Sequence, residues 1–308
     1  MTTPMLLDRH PDVRTLFYCI GAQKTATTWL AKTLAAHPDC HLSRPKELHY
    51  WGLVAGAEPA GRTLATLVRN RRRARRRTLL SALLLRRDRL RANRWKLQKI
   101  DSQIGTLRDP SLERYVARLT RGRRGEPVVG EATPTYATLG ARTFREMAAL
   151  HPDTRFLFVM RDPVERLWSG LRHTVRVDPR SQRGAEAQLR RAFVDALEDG
   201  GSVHLRRSDY RATIRALEEA VPAKRVHYLF YETMRRPEAM GRLGRFLGLA
   251  ELRFDAGRRL NAGVGREMRP GDSALAHARE ILAPVYDFVG ERFAQDVPRE
   301  WRLGAAAA

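Results

Sequence analysis

The chain is poor in cysteine and in aromatic residues, and it contains no long apolar run. Its 308 residues include two cysteines, Cys19 and Cys40. Two are too few for the disulfide framework of a small secreted protein, and this number suits a reducing compartment. No stretch approaches the about 20 apolar residues that span a bilayer, and the first residues lack the apolar centre of a signal peptide. The sequence therefore predicts a soluble, cytoplasmic protein.

Acidic residues are also scarce. The chain has 34 Asp and Glu against 57 Lys and Arg, a formal net charge of +23. Residues 62–100 hold fifteen of the basic residues and one acid, Asp88, so fourteen of the 23 net charges lie in this segment. Leucine recurs there at positions 64, 67, 79, 80, 83, 84 and 85. The pattern predicts an arginine-rich insertion over about residues 53–125, folded as one or two amphipathic helices.

Several interpretations of this insertion remain open. It is an arm that holds an anionic acceptor or rests on an anionic membrane surface. Alternatively, it is a solvated helix, or a disordered run around residues 69–77. Nucleic acid is an unfavoured partner, because Trp95 is the only aromatic residue of residues 62–100 and base stacking needs such rings. The length suits one α/β domain with an insertion, and we predict a single domain over residues 1–308.

Apolar runs rich in β-branched and aromatic residues alternate with helical patterns along the chain. They predict strands near residues 14–20, 39–43, 127–130, 155–160 and 225–230. Strands that alternate with helices indicate an α/β fold with a central parallel sheet. The run Arg155–Met160 has the unbroken apolar character of a strand buried on both faces. After it, Asp162 is placed to cap a helix and Pro163 to occupy its first turn.

The segment 14–36 predicts a strand, a tight turn and a helix. Lys24 and the hydroxyl groups of Thr25, Thr27 and Thr28 lie where this helix begins. Backbone N–H groups, the positive end of the helix dipole and a cation therefore converge on one point, an arrangement that favours a phosphate or similar oxyanion. The nucleotide P-loop pattern Gly-x-x-x-x-Gly-Lys-Ser/Thr is not matched, because Gln23 precedes the lysine.

Charged residues also follow two other predicted strands, at the edge where open parallel sheets bind ligands. Glu47 is the first candidate for a general base, and His49 is the second, because histidine changes charge near neutral pH. The alternative is that Glu47 is an ordinary surface carboxylate paired with Lys46 or Arg44. Arg161 provides a planar clamp of several donors for a phosphate, and Ser169, eight residues later, adds another donor.

Four segments resemble motifs of the sulfotransferases that use 3′-phosphoadenosine 5′-phosphosulfate (PAPS). Residues 21–30 are similar to the 5′-phosphosulfate loop Gly-x-x-Lys-Thr-Gly-Thr-Thr-Trp-Leu, with Ala26 where the family usually has glycine. Residues 46–51 resemble the family's Lys-Glu-x-His-Phe-Phe element, and residues 130–136 resemble Gly-Glu-x-Thr/Ser-Pro-x-Tyr. Residues 161–169 match Arg-x-Pro-x-x-Arg-x-x-Ser, the family's 3′-phosphate element.

The resemblance implies a three-layer α/β sandwich of the P-loop-containing nucleotide-binding type, PAPS as co-substrate and no metal. It implies that Lys24 and Glu47 are catalytic, with His49 as the second choice for the base. Lys46, Glu131 and Tyr136 would bind the acceptor, which is a small molecule or a glycan; we expect carbohydrate or lipid-linked carbohydrate. The implied PAPS-binding residues are Ala22, Gln23, Lys24, Thr25, Ala26, Thr27, Thr28, Trp29, Arg161, Ser169 and Arg266.

Two other functions remain compatible with parts of the sequence. An ATP-dependent phosphotransferase would use the same strand, loop and helix with magnesium. A non-catalytic nucleic-acid-binding protein would use the arginine-rich segment, with an affinity that falls steeply with salt.

Overall fold

A five-stranded sheet forms the centre of the computed structural model, which describes residues 9–57, 64–85, 87–175, 182–257 and 268–302. The strands are β1 (Thr15–Gly21), β2 (Cys40–Leu42), β3 (Val128–Ala132), β4 (Thr154–Met160) and β5 (Val226–Phe230). Their order is β2-β3-β1-β4-β5, and every pairing is parallel. The predicted strands and the α/β fold class are thus confirmed.

Alternate residues of β1 enter two separate cores, one on each face of the sheet. Leu16, Tyr18 and Ile20 belong to one core, whereas Phe17 and Cys19 belong to the other. Successive side chains of a strand point to opposite faces, so a strand that is apolar at every position needs helices on both sides. The result is the predicted three-layer arrangement.

Helices cover both faces and form the peripheral parts of the molecule. In chain order they are α1 (Thr27–Leu34), α2 (Tyr50–Val54), α3 (Leu64–Leu83), α4 (Arg87–Arg108), α5 (Leu112–Leu119), α6 (Ala141–Ala148), α7 (Pro163–Thr174), α8 (Gln182–Glu198), α9 (Val203–Arg206), α10 (Tyr210–Ala220), α11 (Pro237–Leu247), α12 (Asp272–Phe293) and α13 (Arg299–Arg302). A short 3-10 helix, Pro134–Thr138, follows β3.

The arginine-rich segment forms a helical hairpin of α3 and α4. Asn93 bonds to Arg77 and Ser81, so the two helices run antiparallel, and they share a small apolar core around Leu67 and Ile104. The run 69–77 lies inside α3, so the disordered interpretation is wrong. Within the described ranges, no helix combines the length and apolar character needed to cross a membrane.

The predicted insertion, about residues 53–125, includes one helix that packs beside the sheet. Helix α5 packs Tyr115, Val116 and Leu119 into the main core beside the sheet. All three side chains are at most 1% exposed, which the period of the apolar residues in this short helix explains. The part that projects from the domain is therefore the hairpin Leu64–Arg108, and α5 belongs to the domain itself.

Candidate active site

The candidate residues gather at the carboxyl-terminal edge of the sheet, around the end of β1. Along the chain the strands first extend the sheet to one side of β1 and then, from β4 onward, to the other. The loops that follow β1 and β4 therefore diverge and leave a crevice, the usual ligand position in open α/β sheets. The loops 22–26, 43–49 and 161–162 all border this edge.

The loop after β1 is held in place by a hydrogen bond to β4 and by one within the loop. The backbone N–H of Ala22 donates to the carbonyl oxygen of Val159 at 2.7 Å, and the hydroxyl of Thr25 donates to the carbonyl oxygen of Ala22 at 2.7 Å. Helix α1 then begins at Thr27 without a side-chain cap. The backbone N–H of Trp29 already donates to the carbonyl oxygen of Ala26 at 2.9 Å, so the N–H groups at the very start of α1, those of Thr27 and Thr28, are the ones that an anion would meet.

Burial divides the predicted phosphosulfate-binding residues into two groups. Gln23, Lys24, Ala26 and Thr28 are partly exposed on the loop. The side chains of the others face the interior, where they shape the loop: Ala22, Thr25, Thr27 and Trp29. We expect the first group and the loop backbone to meet a ligand directly, and the second to hold the loop in place.

Lys24 lies in a cluster of cations. Burial lowers the pKa of Lys24, and the positive charges of Arg172, Arg161 and Arg166 lower it further. Arg166 is fully buried, and its three guanidinium nitrogens have no hydrogen-bond partner in the described part of the chain. Burial lowers the pKa of Arg166 to about 10, so it stays charged at neutral pH. Such a concentration of positive charge beside a loop of free amides fits a polyanionic ligand.

Arg161 joins the two anion-binding elements that the sequence predicted separately. Its Nη1 atom lies 3.4 Å from the carbonyl oxygen of Lys24, and its Nη2 atom donates to Glu165 at 2.9 Å. Asp162 caps α7 by accepting the N–H of Glu165 at 2.9 Å, as predicted. Ser169 lies further along the same helix and is 9% exposed. The loops after β1 and β4 thus form one continuous site.

A stack of arginine and aromatic side chains extends the site beyond Arg161. The guanidinium carbon of Arg161 lies 4.8 Å from the centre of the Tyr231 ring. That of Arg235 lies 5.2 Å from the same ring and 4.9 Å from Trp29. Sequence analysis missed Tyr231 and Arg235, although their position just after an apolar strand was a usable signal.

Glu47, the predicted base, is surrounded by cations. Its carboxylate lies 3.2 Å from Lys46 and 3.4 Å from Nε2 of His49, and it pairs with Lys99. Burial alone would raise the pKa of Glu47, but the hydrogen bond with His49 and the charges of Lys46 and Lys99 outweigh it and hold the pKa well below its ordinary value. Glu47 is therefore ionised and able to accept a proton only when its cations reposition.

Lys99 comes from the middle of α4, on the arginine-rich hairpin. The sequence left open whether this segment meets the acceptor, and it gave no sign of a contact between Lys99 and Glu47, which are 52 residues apart. The hairpin therefore supplies a charged group to the candidate base. No local motif of the sequence signals it.

His173 is a second residue that the sequence analysis missed. It is exposed on α7, four residues after Ser169 and hence on the same face. The charge of Lys24 lowers the pKa of His173 most, burial and Lys99 lower it too, and Glu47 opposes them. His173 thus lies within electrostatic range of Lys24, Glu47 and Lys99, and it is neutral at neutral pH.

Glu131 and Tyr136, predicted to bind the acceptor, are both fully buried. The Glu131 carboxylate accepts hydrogen bonds from Tyr136 at 2.9 Å, from Tyr115 at 2.6 Å, from Thr133 at 2.5 Å and from the backbone N–H of Leu48 at 3.1 Å. Every bond lies inside the protein. These side chains therefore support the loop that carries Glu47 from within the protein, and contact of either one with an acceptor stays a prediction.

The segment around Arg266, the remaining residue implied to bind PAPS, is only partly described. Arg266 lies outside the described residues. Just after it, the carbonyl oxygen of Met268 accepts the indole N–H of Trp168 at 3.0 Å, which fixes this end of the segment to α7. Arg269 is exposed.

Positive backbone φ angles are concentrated on the two site loops. Of the six non-glycine residues with positive φ in the described ranges, four are Lys24 at 73°, Ala26 at 57°, Glu47 at 66° and His49 at 59°. A side chain with a Cβ atom is disfavoured in this region, so such residues persist where the surroundings impose them. Ala26 occupies the position at which the resembling loops carry glycine.

Replacing Ala26 with glycine is expected to raise the free energy of unfolding by about 0.5–1 kcal/mol, since glycine adopts φ of 57° without a Cβ clash. Urea unfolding followed by circular dichroism measures the change. The matched control is Ala31→Gly in the interior of α1, which should destabilise by about 1 kcal/mol. Destabilisation by Ala26→Gly would contradict the argument.

Replacing Lys99 with methionine is expected to raise the pKa of Glu47 towards its ordinary value. Because that pKa is held low, the Glu47 charge stabilises the fold above about pH 4.5 and its contribution is lost as the pH falls. The acid limb of kcat/KM, measured from about pH 4 to about pH 9, should therefore move to higher pH in Lys99→Met. Lys96→Met, an exposed neighbour on α4, is the control. Identical profiles for the two variants would refute the role given to Lys99.

Comparison with known proteins places the chain in a family. The model of the Sulfotransferase family, Sulfotransfer_3, matches residues 17–253. No curated protein matches the sequence. A sulfotransferase from Alicyclobacillus acidocaldarius shares 20% identity and a TM-score of 0.63, over 94% of this chain and 99% of that chain; this likeness concerns the fold. The sulfotransferase domain of the Synechococcus PCC 7002 olefin synthase is 16% identical, with a TM-score of 0.44, over 93% of this chain and 96% of that domain.

The family match spans β1 to the end of α11, and so includes the loops that carry Lys24, Glu47 and Arg161. It sets aside the ATP-dependent phosphotransferase and the non-catalytic nucleic-acid-binding interpretations. The chain belongs to the sulfotransferase family and is a sulfotransferase.

Proposed function

We propose that the chain transfers a sulfuryl group from PAPS to a hydroxyl or amine of an acceptor, which is a carbohydrate or lipid-linked carbohydrate. The observation that carries the PAPS proposal is the 3.4 Å contact between Arg161 and the carbonyl oxygen of Lys24. This contact supports the proposal because the side chain proposed to clamp one phosphate lies beside the loop proposed to hold the other, as a nucleotide charged at both its 3′ and 5′ positions requires.

In the proposed reaction with a hydroxyl, the acceptor oxygen forms a new O–S bond while the bond from sulfur to the bridging oxygen of PAPS breaks. The electron pair of the broken bond stays on the 5′-phosphate, where the charge of Lys24 compensates it. The acceptor proton passes to Glu47. The products are the sulfated acceptor, adenosine 3′,5′-bisphosphate and a proton that leaves to water.

Two lysines beside Glu47 change position in this scheme when PAPS binds. Lys46 and Lys99 hold its carboxylate in the structure, and the anionic sulfuryl group would offer them a competing partner. Movement of either lysine towards the sulfuryl group raises the basicity of Glu47 when the proton must be taken. His49 and the neutral His173 are the alternative proton acceptors.

The carbohydrate part of the proposal is supported by the sequence of the acceptor side. Residues 46–51 and 130–136 resemble the elements of glycan-modifying relatives more than those of enzymes that act on phenols. The cytoplasm is the proposed location. Both cysteines, Cys19 and Cys40, are free and buried, in keeping with a reducing compartment.

Titration calorimetry tests the nucleotide. Adenosine 3′,5′-bisphosphate should bind to the full chain, and ATP with magnesium should bind much more weakly; tight binding of ATP alone would refute PAPS as the co-substrate. Incubation of the protein with radiolabelled PAPS and extracts of the source cell then identifies the acceptor. Label in a glycan or glycolipid fraction supports carbohydrate, and label confined to phenolic small molecules contradicts it.

A further inference from the structure

The turn between α3 and α4 carries an exposed apolar cluster. Ten large apolar side chains are strongly exposed in the described ranges, and five of them lie within seven consecutive residues. These five form what we call the leucine tip: Leu79, Leu80, Leu83, Leu84 and Leu85, exposed by 70, 57, 80, 58 and 86%. Single exposed leucines are normal, but a contiguous apolar patch at the end of a projecting element marks an interaction site.

Arginines surround the leucine tip on both helices. Arg75, Arg76 and Arg77 precede it on α3, and Arg87 and Arg89 follow it on α4, all of them exposed. Asp88 is the one acid of residues 62–100. An apolar end with a basic collar complements a bilayer with anionic headgroups, because the leucines enter the acyl boundary while the arginines meet the lipid phosphates.

The exposed leucines and the arginines around them disfavour other partners at the leucine tip. A second copy of the chain would bring two basic collars together, and like charges at a small interface repel. A nucleic acid would satisfy the arginines but would leave the five leucines in water. The hairpin also has its own small core, formed by Leu67, Ala74, Ile100 and Ile104, so the leucines of the tip are not needed to hold α3 and α4 together.

The hairpin links the leucine tip to the candidate base. From Arg87 to Lys99, α4 advances by twelve residues, or about 18 Å at the rise of an α-helix. Lys99 contacts Glu47. With the tip at the acyl boundary, Glu47 therefore lies at most about 18 Å above that boundary, where a lipid headgroup that extends beyond the phosphate layer could meet it.

We propose that the leucine tip anchors the enzyme to an anionic lipid bilayer and that the acceptor is the headgroup of a lipid in that bilayer. The choice of acceptor rests on the proposed function. The anchoring does not, because it depends only on the exposed leucines and arginines.

Vesicle sedimentation of the full chain tests the anchor. The protein should bind vesicles of phosphatidylcholine with phosphatidylglycerol at least about tenfold more tightly than vesicles of phosphatidylcholine alone. Replacing the five leucines of the tip with serine should weaken binding to the anionic vesicles more than about tenfold, because each leucine loses its burial. A matched control carries serine at Val54, Val194 and Val203, apolar residues exposed by 42, 36 and 40%, and should bind like the parent.

Three results would overturn the anchor. They are equal binding to both kinds of vesicle, unchanged binding of the leucine variant, and a lipid-free dimer that becomes a monomer in the leucine variant when analysed by light scattering. Binding of adenosine 3′,5′-bisphosphate should be the same in all variants. Its absence in the parent would refute the proposed function and leave the vesicle result standing, and sulfation of water-soluble glycans alone would refute the lipid acceptor.

Discussion

Replacing Lys24 with alanine is expected to lower the rate of sulfuryl transfer by about 10³-fold. Lys24 is the loop cation nearest to the position of the leaving phosphate in the proposed reaction, and loss of a single preorganised charge at such a position costs about 10²–10³-fold or more. Two of the three other cations of the cluster, Arg161 and Arg166, cannot replace it. Arg161 is paired with Glu165, and Arg166 is fully buried.

The rate is measured as transfer of radiolabel from PAPS to the acceptor fraction. Lys32→Ala is the matched control, because Lys32 lies on the same helix, α1, but is exposed. It should retain the parent rate. Unfolding curves establish that both variants are folded. A fall of less than about tenfold in a folded Lys24→Ala protein would remove Lys24 from the catalytic role.

Replacing Glu47 with glutamine is expected to lower turnover by about 10²–10⁴-fold while binding of adenosine 3′,5′-bisphosphate is unchanged. Glutamine keeps the size of the side chain and an oxygen that can accept from Lys46 and Lys99, but it cannot take the acceptor proton. In the proposed reaction Glu47 meets the acceptor, whereas Lys24 and Arg161 meet the nucleotide. Turnover should therefore fall while nucleotide affinity stays the same.

Glu146→Gln is the control for this substitution, because Glu146 is a carboxylate on α6 that pairs with Arg142 at the surface. Its turnover should equal that of the parent. If Glu47→Gln is as active as the parent, the base is elsewhere, and the two imidazoles near Glu47 become the candidates. His49→Ala and His173→Ala then distinguish them.

The sequence predicted those parts of the molecule that local chemistry determines. The apolar run before Met160 gave β4, and Asp162 with Pro163 gave the start of α7, because a cap and a first-turn proline act within a few residues. The loop after β1 was predicted for the same reason. The loop after β1 and the element after β4 could each be predicted to bind an anion from their own residues, and the parallel sheet then brought both to one edge.

Contacts between distant segments could not be predicted in this way. Lys99 reaches Glu47 only because α3 and α4 fold back as a hairpin, and neither the direction nor the length of that hairpin is encoded near Glu47. The burial of Glu131 likewise depends on Tyr115, which arrives from α5. A carboxylate within a motif is predicted to bind a ligand as long as its hydrogen-bond donors are unknown. The four donors to Glu131 all lie inside the protein.

The hydrogen bonds of the Glu131 carboxylate also determine which junctions a chimaera of this enzyme can use. Because it ties Tyr115 of α5 to the strand end and to Leu48, a chimaera that exchanges residues 53–125 with those of another enzyme would delete one of its donors and loosen the neighbouring loop. Junctions at residues 64 and 108 leave the hydrogen bonds around Glu131 intact. The hairpin should thus be exchangeable for that of a related enzyme when the graft carries a cation at the position of Lys99, which contacts Glu47. A set of such grafts would show whether the choice of acceptor changes with the hairpin.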